Sequence, residues 1–356
     1  RVEINLGDLQ KSLPKGAILL EYIWFTPYPE NIVGLPNESQ LLGFAFDAAG
    51  NISLKSLGTY ESMRRQIQAF RQTQSPLLGK SLFQKVVQPL LANTDSVEHI
   101  YIAPDGDLST IPFELMVVDD GDLLIDHATI NYLSSGRDLV RKSNPSPENL
   151  SAVVFANPTY AEQDELTPLP HTQTEATMLL ELFPNSVVYS GVEATVDRLY
   201  NVSKPNVLHI ATHGFFEPDN PSIGYDDNPM TRSGLFLGKG SDMGTRILAS
   251  EIVTLDLEGT DLVVLSACES GLADTSSGDG AYGMRHAFSL AGAQNQVLSL
   301  WPVDDDATAH FMEQFYKKLA NGVDKSTAIR ETKLTMRNDG QWSSPRQWGA
   351  FILIGK

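Results

Sequence analysis

The feature that most restricts the fold is a set of short, near-continuous apolar runs in the second half of the chain. They are "AVVFANP" (152–158), "VLHIAT" (207–212), "DLVVLSA" (261–267), "QVLSLW" (296–301) and "GAFILIG" (349–355). A strand that is apolar on both sides of its pleat must be covered on both faces, which is the condition of a parallel sheet. Helical segments separate the runs, among them "TEATMLLELF" (174–183), "YGMRHAFSLAGA" (282–293) and "ATAHFMEQFYKKLANG" (307–322). The alternation predicts right-handed crossovers onto one open sheet. In the last helix Phe311, Met312, Phe315, Tyr316 and Leu319 fall on one stripe, and Gly322 supplies a stop.

The first half has a related rhythm. Ala17–Phe25, Leu41–Phe46 and Glu98–Ala103 read as strands, with a helical stretch from Tyr60 to about Leu91. "APDGDLSTIPFELM" (103–116) reads as a strand end, a turn at Asp105-Gly106 and a proline-led helix. "RKSNPSPENL" (141–150) has the composition of a linker. The 356 residues therefore divide into two α/β halves, 1–145 and 151–356.

A formal net charge of −18 opposes binding to nucleic-acid phosphate or an anionic membrane. It suits a cationic peptide or a basic protein surface, although plain solvated surface accounts for it as well. One cysteine cannot form an internal disulfide, so a reducing, cytoplasmic setting is the expectation. No apolar run approaches the roughly 18 residues of a membrane span.

Chemistry concentrates in two stretches. "LHIATHGFF" (208–216) holds His209 and His213 four apart, a spacing that clamps a metal on a helix. The run is apolar and β-branched, however, and reads as a strand. That leaves His209 inside as a core histidine and places His213 at the carboxyl end, where open α/β sheets build their sites. "LVVLSACESG" (262–271) has the same design and delivers Cys268, the only cysteine. Adjacent parallel strands lie about 4.8 Å apart, so neighbouring strands ending in His213 and Cys268 would pair an imidazole with a thiol. Gly214 allows a carbonyl oxygen to approach its backbone N–H, and the N–H of Cys268 is a second oxyanion donor. A solitary cysteine also commonly packs as an inert buried side chain.

No cofactor is implied. A metal site built on one cysteine is not expected, "LGKS" (78–81) lacks the upstream glycine of a phosphate loop because Gln74 stands there, and no G-x-S-x-G occurs.

Taken together, "HIATHG", "VVLSACESG" 55 positions later, "SLWPVDD" and the helix beyond it closely resemble the CHAT domain. That family is a branch of the caspase, separase and gingipain clan of cysteine peptidases. "PDGDLSTIPFELM" and "LPHTQTEA" extend the resemblance over nearly the whole chain. It implies a caspase-like, mostly parallel sheet flanked by helices, a first half without the dyad and a catalytic second half. It also implies that His213 and Cys268 form a catalytic dyad acting on protein or peptide substrates. A helical-repeat sensor upstream, or an activating partner, is a further implication, and a catalytically silent interaction module on the same fold is the alternative.

Within that resemblance, the strand end after the cysteine lies beside the site, which makes Asp304, Asp305 and Asp306 candidates for an acidic pocket preferring Arg or Lys. Asp304 or Asp305 suits the pocket and Asp306 the cap of the following helix. Asp279 is a second acidic candidate, or a simple turn residue. The proline- and asparagine-rich stretch Phe215–Gly234 reads as a long loop that covers the cleft until an activator orders it.

Overall fold

The apolar runs fold as the parallel strands that their composition requires. The computed structural model describes residues 4–26, 39–91, 97–119, 121–141, 150–217, 228–240, 244–266 and 279–356, with backbone alone at 279–282. The chain forms two compact units, Arg1–Lys142 with Ile354–Lys356, and Ser143–Leu353.

In the first unit the strands run in the order Ile52–Thr59, Gln40–Asp47, Ala17–Phe25, His99–Ala103 and Thr129–Tyr132. The first three are antiparallel and the remaining pairings parallel. Leu13, Leu19, Phe46, Tyr101, Leu133 and Leu139 form a core cluster here. The last residues of the chain belong to this unit: Gly355 N donates to Tyr132 O at 2.8 Å and Asn131 Nδ2 to Gly355 O at 2.9 Å.

Three details of this unit depart from the sequence reading. The strand Ile52–Thr59 was not anticipated. The stretch from Tyr60 is two helices, Tyr60–Thr73 and Pro76–Leu82, followed by a π-turn and a last helical turn. Gln74 takes a left-handed φ of 48° and caps the first helix, and Pro76 opens the second because it has no N–H to continue the ladder. The "PDGDLSTIPFELM" segment forms two 3₁₀ turns, Gly106–Thr110 and Phe113–Leu115, in place of an α-helix.

In the second unit the order is Phe351–Ile354, Asn295–Ser299, Leu262–Leu265, Val207–Ala211, Ala152–Pro158 and Val187–Gly191. Pairings from Asn295–Ser299 through to Val187–Gly191 are all parallel. Every residue of the first four strands is buried, as two-sided coverage demands. Helix Asp305–Ala320 buries the predicted stripe, and the Phe311 ring stacks on Phe351 at 4.1 Å between centroids. Helix His171–Leu182 packs beside it.

A small antiparallel sheet follows His213: Gly214–Phe216, Ser233–Phe236 and Arg246–Leu248. The stretch expected to be one long loop thus begins and ends in strands, with a helical turn at Pro229–Arg232, and residues 218–227 lie outside those described. Packing explains the order. The Arg246 guanidinium lies 4.0 Å over the Phe215 ring, and a Cβ at Gly234 would meet Ile247 O at 2.1 Å. Only glycine fits there.

Candidate active site

His213 enters the site from the carboxyl end of the Val207–Ala211 strand and is only 2% exposed. Its Nε2 lies 2.7 Å from Thr167 O. A carbonyl only accepts, so Nε2 carries the hydrogen and the neutral ring keeps its lone pair on Nδ1. The Tyr160 ring packs 5.2 Å from the imidazole, and its hydroxyl sits 3.0 Å from Thr212 Oγ1. The same hydroxyl oxygen accepts from the His213 backbone N–H, while burial pushes the phenol up to about 12. Thr212 Oγ1 in turn donates to Phe236 O. These contacts hold the ring and backbone of His213 from two sides.

Gly214 follows on a buried edge strand, opposite Leu235. Phe236 N donates to His213 O at 2.8 Å and Glu217 N to Arg232 O at 2.7 Å, so residues 213 and 217 sit in hydrogen-bonded pairs. By antiparallel alternation Gly214 occupies a non-bonded pair and its N–H points away from the neighbouring strand.

His209 is fully buried, as a core histidine. Its Nδ1 lies 3.0 Å from Tyr316 Oη and its Nε2 3.0 Å from Glu175 Oε2. The second approach falls outside hydrogen-bond geometry. The strand geometry keeps His209 and His213 from clamping an ion together, and no cluster of three metal-ligating side chains occurs among the described residues. None of the described helices is long and apolar enough to cross a membrane.

The acidic candidates are separated by their bonding. Asp304, not Asp306, is the N-cap of helix Asp305–Ala320, because its carbonyl accepts the first intrahelical bond from Thr308 N at 2.9 Å. Its exposed side chain makes no capping bond. Asp305 is half-buried and its Oδ2 accepts from His171 N at 3.1 Å, while its charge reaches Tyr160 beside His213. Asp306 bonds its neighbour Ala307 N at 2.8 Å in the first turn. Cys268 and the side chain of Asp279 lie outside the described residues.

Sequence reasoning passed over Tyr160, Thr167 and Glu175. Thr167 contributes a carbonyl, which leaves no side-chain signature. Glu175 did leave one: it shares the buried stripe of its helix with Thr172, Ala176 and Leu179, where a carboxylate needs a partner.

A family profile described as the CHAT domain matches residues 77–356. The chain belongs to the CHAT domain family. Tetratricopeptide repeat protein 28 of Homo sapiens is 28% identical over 291 residues, covering 70% of this chain and 12% of that protein. Its counterpart in Mus musculus is 25% identical over 354 residues, covering 86% of this chain and 14% of that protein. This CHAT domain therefore spans a small part of those relatives. Among solved structures, the Saccharomyces cerevisiae separase–securin complex superposes with a TM-score of 0.58 at 11% identity, covering 98% of this chain and 30% of that chain. At that identity the likeness establishes the fold, which is caspase-like and related to that of cysteine peptidases.

Proposed function

We propose that this CHAT domain is a cysteine endopeptidase in which His213 and Cys268 act as a dyad. The observation that carries the reading is a register. Val207 pairs with Leu262 and Ile210 with Leu265, an offset of 55 positions, and the same 55 positions separate His213 from Cys268. Parallel strands hold their register, and this match of spacing supports the pairing of His213 with Cys268.

In this reading Nδ1 of His213 takes the Cys268 thiol proton, and the thiolate attacks the scissile carbonyl carbon. The backbone N–H groups of Gly214 and Cys268 bind the oxyanion that forms. The imidazolium then gives its proton to the leaving amine as the peptide bond breaks, leaving a thioester. Water, deprotonated by the same imidazole, attacks the thioester and releases the acid product and the thiol. Thr167 O holds the ring by Nε2–H throughout, and Tyr160 keeps water from one side of it.

For specificity the reading assigns Asp304 first, since its carboxylate is exposed and uncommitted to the cap, with Asp305 and Asp279 as further acidic candidates. An Arg or Lys before the cut suits them. The relatives named for tetratricopeptide repeats support a domain that works beside helical repeats or an activating partner. Incubating the wild type and Cys268→Ala with a diverse peptide library tests the reading. Cuts by the wild type alone support it; no cut by the wild type, with Cys268 labelled no faster than an ordinary thiol, favours a silent interaction module.

A further inference from the structure

Below the site lies a buried polar cluster that the dyad chemistry does not use. Glu175 and His209 side chains are both 0% exposed, and Ser266 and Tyr316 are buried with them. Ser266 Oγ donates to Glu175 Oε1 at 2.9 Å, and Glu175 Oε2 lies 3.0 Å from His209 Nε2. Tyr316 Oη closes the cluster at 3.0 Å from His209 Nδ1. Burial, reinforced by the Glu175 charge, raises the Tyr316 phenol well above its ordinary value, so it keeps its proton.

Fully burying a carboxylate costs several kcal/mol unless its partners repay it. A Leu or Met at this stripe position would pack helix His171–Leu182 without that cost. The partners of Glu175 indicate what the acid does instead. Ser266 stands two residues before Cys268 in sequence, directly after strand Leu262–Leu265, and its N–H also donates to Ile210 O at 3.0 Å. His209 stands four residues before His213 on the neighbouring strand. Glu175 itself lies on the helix whose approach segment supplies Thr167 O to His213 Nε2. That segment is tied to the helix by Thr172 Oγ1 donating to Leu169 O at 2.6 Å.

We propose that Glu175 is a positioning residue whose one carboxylate fastens together the three segments that carry the Thr167 carbonyl, His213 and Cys268. The assignment rests on the dyad reading for its catalytic consequence, but its structural content stands apart from it. One oxygen of Glu175 accepts from Ser266 on one strand, the other lies 3.0 Å from His209 Nε2 on its neighbour, and the helix backbone carries the third segment. Loss of the carboxylate loosens these segments against one another, and a shift of about 1 Å at a reacting group lowers rates by roughly 100-fold.

The test compares wild type, Glu175→Gln and Ser266→Ala by two readouts, with folding checked by circular dichroism. Steady-state peptide cleavage gives kcat and KM, and the imidazole resonances of His213 in ¹⁵N-histidine-labelled protein report its Nε2–H tautomer and its order. In both variants kcat is expected to fall about 10- to 100-fold with KM within about twofold. The His213 Nε2–H signal is expected to broaden or shift. Glu175→Asp, which keeps the charge, should recover part of kcat. A folded Glu175→Gln protein with wild-type kcat and an unmoved His213 signal overturns the proposal, as does a lowered Tm with both readouts unchanged. If Glu175→Gln does not fold, the same readouts on Ser266→Ala decide. A wild type that cuts no peptide refutes the dyad reading alone, and the His213 resonance then judges the Glu175 assignment by itself.

Discussion

The imidazole of His213 donates from Nε2 to the carbonyl oxygen of Thr167 across 2.7 Å, and this bond settles which ring nitrogen holds the hydrogen. Nδ1 is left as the ring's acceptor atom, and in the proposed dyad it takes the thiol proton of Cys268. His213→Ala and Cys268→Ala are each expected to reduce cleavage to background, a loss of at least about 1,000-fold, because the pair acts as a unit. The Tm of Cys268→Ala should stay within about 4 °C of wild type, the range of a change near 1 kcal/mol. Turnover retained by Cys268→Ala under peptide-library conditions would refute the dyad.

Asp304 and Asp305 should separate by experiment. Asp304→Ala, at an exposed carboxylate with no capping bond, is expected to lower kcat/KM for Arg and Lys substrates about tenfold or more and leave the Tm unchanged. Asp305→Ala removes the acceptor for His171 N and should lower stability by about 1 kcal/mol. Raising salt should weaken the preference for basic residues, since an exposed carboxylate is screened. Equal cleavage after Leu and Arg in the wild type would dismiss an acidic pocket while leaving the dyad intact.

What was legible in the sequence follows from burial. Val207–Ala211 and Leu262–Leu265 are buried on both faces, so composition alone marks them, and the stripe from Phe311 to Leu319 is set by one helical period. Ile52–Thr59 escaped because it is an edge strand: Ile52 and Leu54 are 57% and 55% exposed, and the segment shows no core-facing alternation. The break before Pro76 was available from the missing N–H of proline. Tyr160 and Thr167 were not, since one acts through a ring packed across the fold and the other through a backbone oxygen, and neither leaves a local pattern. The His213–Cys268 spacing was visible as a number, but its match to the strand register appears only once Val207 is seen opposite Leu262.

His209→Ala should destabilise the fold far more than a surface histidine would. The substitution leaves the Glu175 carboxylate buried with one neighbour fewer and strips the Tyr316 hydroxyl of its hydrogen-bond partner. Breaking a buried pair in this way costs about 3–5 kcal/mol. Equilibrium urea unfolding would show the midpoint fall with little change in slope, and a wild-type midpoint would contradict the buried contact.

Tyr160 supplies a pH signature. Burial raises its phenol from 10.0 to about 12, so the folded state holds this proton more tightly than the unfolded chain does. The resulting stabilisation is fully present below pH 10, where both states are protonated, and is lost as pH rises from 10 through about 12. A shift of this size corresponds to about 2–3 kcal/mol. Tyr160→Phe has no proton to lose there. At neutral pH it should be less stable by about 1 kcal/mol, since its hydroxyl bonds to Thr212 and His213 are gone. Its alkaline decline should then be shallower than that of the wild type, so that the two stability curves converge or cross above pH 10. Tyr22 and Tyr316, also raised by burial, are present in both proteins and cancel in the difference. Urea unfolding at intervals from pH 8 to 12 measures it, and two curves that stay parallel over that span would show that Tyr160 ionises no differently in the folded protein than in the unfolded chain.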